Sequence, residues 1–503
     1  MSAPAQTDLW LELPDQLRRP ALSGIRWTLW LTLIAVPFSF GTRLLLAHMG
    51  PHVLAVYGLL LVYINFVSTF FLLGGNAVII RYLPAVAPSL RRGFLYAYGL
   101  VVAAWLGLWV LPALFAPGWL HLMFGALATA RLCRLAILLA PLGILFSLAL
   151  AALNGLLEMD RVQLFYRMVT IGSFCGYGLL VWLARAEFRH HPTVWIGGIY
   201  LLLVTLVAGL ALLRLRSRLP PARRRWYLPP GFWKYTFSLE GVSILSFFAA
   251  ELDTFFVLHR GGLHILGQYV AVMTLALALA PLVKRLLETF LASLTNALAT
   301  NDSRAGALFI LTYARLLLPG ILCFGVSLAA CAPLWLHFFG KPYRQLPVAL
   351  AIAAFGGAVY SLNCFLGSML TAWGIPERIV WAQLASIVTY ILLFIPLWRA
   401  ASLNGAVLAW TAAELMYFVW AAVTLLRRVS ITMPGMARNC LLFFCILTSA
   451  IAVSIQFSAG DWPLRLLICL AAPALFVAWA GYSRHELLQL FRILLPNRLP
   501  AES

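Results

Sequence analysis

The sequence is short of charge, and above all of acid. Only 10% of its 503 residues are Asp, Glu, Lys or Arg, and just 16 are acidic, where a soluble chain carries about 25% charged residues. That scarcity excludes a water-soluble globular protein. No polar stretch is long enough to fold into a soluble domain, so a nucleotide site has no home, and no Walker A pattern occurs. HExxH and comparable metal-ligand spacings are missing too. None of the eight cysteines forms a CxxC pair, and all lie in or beside apolar segments, which reads them as small hydrophobes and not as ligands or a disulfide set. The first twenty residues hold Asp8, Glu12 and Asp15 ahead of any long apolar run, unlike a cleavable signal peptide.

Apolar length is what the chain does have. Hydrophobic residues make up 63% of it, and its mean hydropathy is +0.93. Runs of about 20 apolar residues can cross the hydrocarbon as helices. Fourteen such runs fall near 24–47, 54–79, 95–116, 133–155, 165–184, 194–213, 236–258, 263–286, 306–330, 346–372, 379–398, 404–426, 439–458 and 463–482. They are apolar all round and too long for barrel strands, which alternate over about ten residues. The expected fold is therefore an all-α polytopic membrane protein of about 14 transmembrane helices.

Basic residues orient it. With the N terminus inside, and with Arg26, Arg134, Arg167 and Arg465 at span openings counted to the adjacent side, 23 of the 36 Lys and Arg fall in cytoplasmic termini and loops, 9 in outer loops and four within spans, as the positive-inside rule requires. Both termini are then cytoplasmic. No outer loop exceeds about 20 residues, which argues against a glycosyltransferase or polymerase with an extracytoplasmic catalytic domain. The segment Arg214 to Lys234 carries seven basic residues and no acid. It reads as a topology-setting linker or as a contact for anionic headgroups. Nothing in it supplies a folded basic face for nucleic acid.

The chain nearly repeats itself. Leu54-Ala55-Val56-Tyr57 returns as Leu266-Gly267-Gln268-Tyr269, Tyr177-Gly178-Leu179-Leu180 as Tyr390-Ile391-Leu392-Leu393, and Leu212-Leu213-Arg214 as Leu425-Leu426-Arg427, all at an offset of 212 or 213. Residues 155–161 (GLLEMDR) echo 374–378 (GIPER) across a two-residue gap. Duplicated blocks of spans mark transporters built around an axis between halves, and an even span count per block puts that axis along the membrane normal. The expected divisions are an N-terminal lobe over 1–220, a basic linker over 221–235, a C-terminal lobe over 236–430, and two further spans with a tail over 431–503.

Ionisable residues inside spans cost ~2.5–3.5 kcal/mol on insertion scales, so they face a cavity or a partner. Arg315 lies about nine residues into span 9, roughly 13 Å at helical rise. Glu414 is near the centre of span 12, Glu251 and Asp253 are in the outer part of span 7, Lys284 and Arg285 are at the inner end of span 8, and Arg43 is near the outer end of span 1. One reading makes Arg43, Lys284, Arg285 and Arg315 a cationic cavity for an anionic headgroup, since Arg presents a planar fork of donors to phosphate. The other has Arg43, Lys284 and Arg285 snorkelling to an interface and Arg315 and Glu414 in structural ion pairs. Glu251, Asp253 and Glu414 are the candidate proton or ion carriers, with interface placement the alternative for the first two. Asn65, Asn76, Asn154 and Asn363 read as helix-to-helix glue more readily than as substrate contacts. At the matched offset Lys284 and Arg285 correspond to Leu72 and Leu73, and Glu414 to Leu201, so the deep charge leans toward the second repeat.

Residues 41–84, with the Gly50-Pro51 turn, Tyr57 and the Gly74-Gly75…Arg81-Tyr82 exit, resemble the first two spans of bacterial polysaccharide flippases. These belong to the multidrug/oligosaccharidyl-lipid/polysaccharide exporter superfamily. Residues 251–272 resemble that family's seventh span entering its eighth, and residues 338–378 its approach to the tenth span. The likeness runs over most of residues 24–430. It implies a V-shaped bilobed bundle with alternating access and no cofactor. It implies an undecaprenyl-diphosphate-linked oligosaccharide as substrate, flipped across the bacterial inner membrane for O-antigen, capsule or exopolysaccharide assembly, among membrane lipids and beside polysaccharide polymerase and chain-length regulator proteins. Lipid II flippases and organic-cation exporters of the same superfamily are alternatives, and a membrane glycosyltransferase is a more distant one. The family has no strict set of cavity residues, so the four cations are assigned by position.

Overall fold

A computed structural model describes residues 34–115, 130–156, 158–219, 226–284, 287, 303–372, 377–428, 436–456 and 462–479. Among them every regular element is helical, and each of the fourteen expected spans meets helix. Several of these helices are long and apolar enough to cross a membrane, and the chain is a multi-pass membrane protein.

The first part runs α1 (Ile34–Met49), α2 (Pro51–Phe70), α3 (Gly75–Ala85), α4 (Pro88–Phe115), α5 (Ala130–Gly155), α6 (Met159–Leu183), the short α7 (Arg185–His190), α8 (Pro192–Arg218) and α9 (Phe232–Ala276). Gly50, at φ 130°, ends α1, and Pro51 opens α2 in its first turn, where a missing N–H costs nothing. The eighth span begins against that turn. A Cβ on Gly267 would fall 1.9 Å from the Pro51 carbonyl oxygen, so the repeated Leu266-Gly267 motif carries its glycine where two backbones touch. Spans 7 and 8 run on as α9, broken at Gly262 (φ 67°).

Span 2 is discontinuous. Helix α2 stops at Phe70 and α3 starts at Gly75, with Leu73 at φ 32° and Gly74 at φ 80° between them. Backbone groups freed inside a membrane need partners, and here the partners are side chains. The Trp105 indole donates to the Phe70 carbonyl at 2.8 Å. The Tyr98 hydroxyl donates to the Leu72 carbonyl and reaches that of Leu73 at 3.0 Å. Glu240 accepts from the Gly74 N–H at 2.7 Å.

The second part holds α10 (Ser303–Ala330), α11 (Ala332–Phe339), a 3₁₀ turn (Lys341–Tyr343), α12 (Pro347–Ala372), α13 (Glu377–Arg428), α14 (Met436–Gln456) and α15 (Trp462–Trp479). A bend of 71° separates residues 317–330 of α10 from α11. Helix α13 holds spans 11 and 12, parted at Ser402 (φ 49°). Span 14 docks on span 9, where the buried Arg465 donates to the Ala330 carbonyl. Residues 35–271 and residues from 272 onward form two compact units.

Candidate functional site

In the first unit, α1 carries Arg43 and α2 carries Tyr57. The two side chains hydrogen-bond, and Tyr57 packs edge-on against Tyr177 of α6 at 6.1 Å between ring centres. Tyr177 is itself fixed by donating to the Ile196 carbonyl of α8 at 3.1 Å. Arg43 is half-buried, so its guanidinium is anchored at one edge while part of it stays reachable.

Glu251 and Asp253 sit two apart on α9 and point to different partners, as helical geometry requires. Glu251 accepts from Asn65 of α2 at 2.8 Å. Asp253 is buried and accepts from the Thr254 N–H at 2.7 Å and from the Tyr269 hydroxyl. That second bond spans the Gly262 break and ties span 7 to span 8.

The second unit gathers more chemistry. Lys284 places its ammonium 5.1 Å from the centre of the Tyr360 ring and within hydrogen-bonding reach of its hydroxyl. Cys364 and Glu414 lie close enough to interact with it electrostatically. Glu414 is buried and takes a 2.7 Å hydrogen bond from Asn363, whose amide also donates to the Glu414 carbonyl at 2.9 Å. Tyr360 is halfway along the 26-residue α12, so the partners of Lys284 are mid-helix groups and not those of a helix end. Lys284 is nonetheless exposed. The arrangement sets the ammonium of an exposed lysine on an aromatic face, beside a carboxylate already engaged by an amide. A strongly hydrated point charge of this kind suits phosphate oxygens.

Arg315 is half-buried on α10. Arg285 lies outside the described residues. Asn65 and Asn363 join helices. Asn76 is exposed, and the Asn154 carbonyl oxygen has no partner among the described residues.

Two features were not anticipated. Glu240 is an acid eight residues past the start of α9, roughly 12 Å at helical rise, and four past the expected opening of span 7. A carboxylate inside the bounds of an expected span was the signal. Glu158, inside the GLLEMDR echo, holds Arg214 at 2.9 Å and also pairs with Arg218. An acid followed at a distance by the basic end of span 6 gave no sequence cue to that pairing.

No family model matches the chain, and no curated protein matches it. Solved structures do. The lipid II flippase MurJ in its inward closed conformation is 14% identical over 90% of this chain and 98% of its own, at a TM-score of 0.64. A multidrug resistance MATE family transporter of the MOP superfamily, inward-facing, is 14% identical over 79% and 96%, at 0.61. A MOP superfamily transporter from Pyrococcus furiosus is 14% identical over 85% and 99%, at 0.59. The chain has the fold of these transporters and flippases.

Proposed function

We propose that this protein flips undecaprenyl-diphosphate-linked oligosaccharide from the cytoplasmic to the periplasmic leaflet of the bacterial inner membrane, for assembly of O-antigen, capsule or exopolysaccharide. The observation that carries the reading is Lys284: an exposed lysine whose ammonium is held against a mid-helix tyrosine, with its neighbouring carboxylate turned to Asn363. The diphosphate binds Lys284, with Arg285 and Arg315 adding charge; Arg43 is the candidate cation of the first lobe. The sugar crosses through the polar interior and the polyprenyl tail stays in lipid. Lobes at 1–220 and 236–430 rock about the bound headgroup, with both termini cytoplasmic. Polymerase and chain-length regulator proteins receive the flipped lipid.

The rival, an exporter of organic cations, needs an available carboxylate in the cavity. Glu414 and Asp253 are both buried and both hydrogen-bonded, which favours the anionic substrate.

The test is complementation of a strain lacking this gene. Lys284→Ala and Arg315→Ala are expected to abolish surface polysaccharide while the protein accumulates in the membrane at the level of the parent. Normal polymer from both variants would remove the cationic cavity from the mechanism. Efflux of organic cations that survives both substitutions would favour the rival.

A further inference from the structure

The break in span 2 has a carboxylate seated on it that the proposed transport path does not use. Glu240 is 6% exposed. Its Oε2 accepts from the Gly74 N–H at 2.7 Å, at the opening of the 11-residue α3. Its Oε1 is buried and has no partner among the described residues. One helical turn earlier on the same helix, Thr236 is 0% exposed, and its hydroxyl lacks a partner among the described residues. The two unpaired oxygens stand at positions i and i+4, which are neighbours on a helix face. The cleft is tight, because a Cβ on Gly74 would come within 3.1 Å of the Thr236 carbonyl oxygen.

No cation among the described residues completes this group. On α3, Arg81 lies over the Tyr235 ring at 4.1 Å and beside Tyr82. On α4, Tyr98 is committed to the carbonyls of Leu72 and Leu73. On α9, Lys234 is exposed near the helix start. On α2, Phe70 supplies a carbonyl already taken by Trp105. A bare carboxylate oxygen in an apolar interior is costly, and a proton is the least bulky way to complete it. A metal ion fits poorly. Hard cations such as Ca²⁺ and Mg²⁺ take about six or more oxygen ligands, and among the described residues this stretch of α9 leaves two oxygens unpaired, those of Thr236 and Glu240.

We propose that Glu240 is a proton-binding site built on the break in span 2, with the proton on Oε1 while Oε2 keeps the Gly74 N–H. Loss of the proton makes the bond to Gly74 charge-assisted and sets a full negative charge against the N-terminus of α3. Proton occupancy therefore adjusts how firmly the two halves of span 2 are held at residues 71–74. The inference stands on this site alone and holds whatever substrate the protein carries.

Hydrogen–deuterium exchange of the full chain in lipid nanodiscs tests it, read over residues 72–80 at a series of pH values and corrected for intrinsic exchange. The parent protein is expected to show a single-proton step in corrected protection. Glu240→Gln, which mimics the protonated acid in shape and donors, is expected to lose the step. Thr236→Val leaves the carboxyl and its bond to the Gly74 N–H in place, so it is expected to keep the step. A step that persists unchanged in Glu240→Gln would overturn the proposal, as would a flat profile in the parent. A step that follows sodium concentration at fixed pH would assign the site to a metal cation and likewise overturn it. Infrared difference spectra of the parent give a second reading, through a protonated-carboxyl band that is lost at high pH and absent from Glu240→Gln.

Discussion

Tyr57 and Tyr269 hold the same place in the two sequence repeats, and each grips an ionisable side chain of the preceding span, but the charges are opposite. Tyr57 meets Arg43, and Tyr269 meets Asp253. The repeat has kept the tyrosine as a clamp between successive spans and exchanged what it clamps. Arg43 keeps part of its surface reachable, whereas Asp253 is buried.

That difference sets the expected cost of losing each hydroxyl. Tyr269→Phe strips a buried carboxylate of a donor and should destabilise the protein by about 1–3 kcal/mol. Tyr57→Phe leaves Arg43 able to reach water and should cost about 1 kcal/mol or less. Thermal unfolding of the detergent-purified variants checks the order, and Tyr57→Phe unfolding at the lower temperature would reverse it.

Gly74→Ala is expected to abolish accumulation of folded protein. The residue sits at φ 80°, and an added Cβ would lie 2.6 Å from Val78 and 3.1 Å from the Thr236 backbone. Left-handed backbone and overpacking both act against it. Gly99→Ala, where a Cβ meets nothing within 4 Å, is the control. Membrane fractions probed for both proteins decide the point.

The apolar runs, the helical class and the amide bridges at Asn65 and Asn363 could be read from sequence, because span length and the cost of an unpaired amide in lipid are local properties. The break in span 2 could not. Leu72-Leu73 reads as continuous hydrophobicity, and the Gly74-Gly75 pair hints at flexibility without saying that Tyr98, Trp105 and Glu240 will cap the opened backbone. Those caps come from 25 to 166 residues away, and no periodicity reports them. The same holds for Lys284. Its position in span 8 suggested a helix end, while its ring partner Tyr360 is in the middle of α12.

Cys331 and Cys469 lie with their sulfurs 3.7 Å apart where span 14 meets the end of span 9. Mild oxidation of the purified protein is expected to join them, giving a fragment link that survives cleavage between α10 and α15 until reductant is added. Cys331→Ser or Cys469→Ser should remove the link. Failure to cross-link in the parent would contradict the docking of span 14 on span 9.

Asn363→Leu should unseat Glu414, since it removes a 2.7 Å donor from a buried carboxylate. The expected result is a less stable protein, by about 1–3 kcal/mol, together with weakened flipping as Glu414 turns toward Lys284 and competes with the diphosphate. Asn363→Gln, which keeps an amide, should lose less of both. Equal losses in the two variants would detach the amide from the site.

The most direct measurement is flipping of a fluorescent polyprenyl-diphosphate oligosaccharide in proteoliposomes, scored by access of a membrane-impermeant quencher to the sugar. The parent protein is expected to move the lipid between leaflets, and Lys284→Gln at equal reconstitution to fall to the rate of empty vesicles. Undiminished flipping by Lys284→Gln, or none by the parent, would contradict the account.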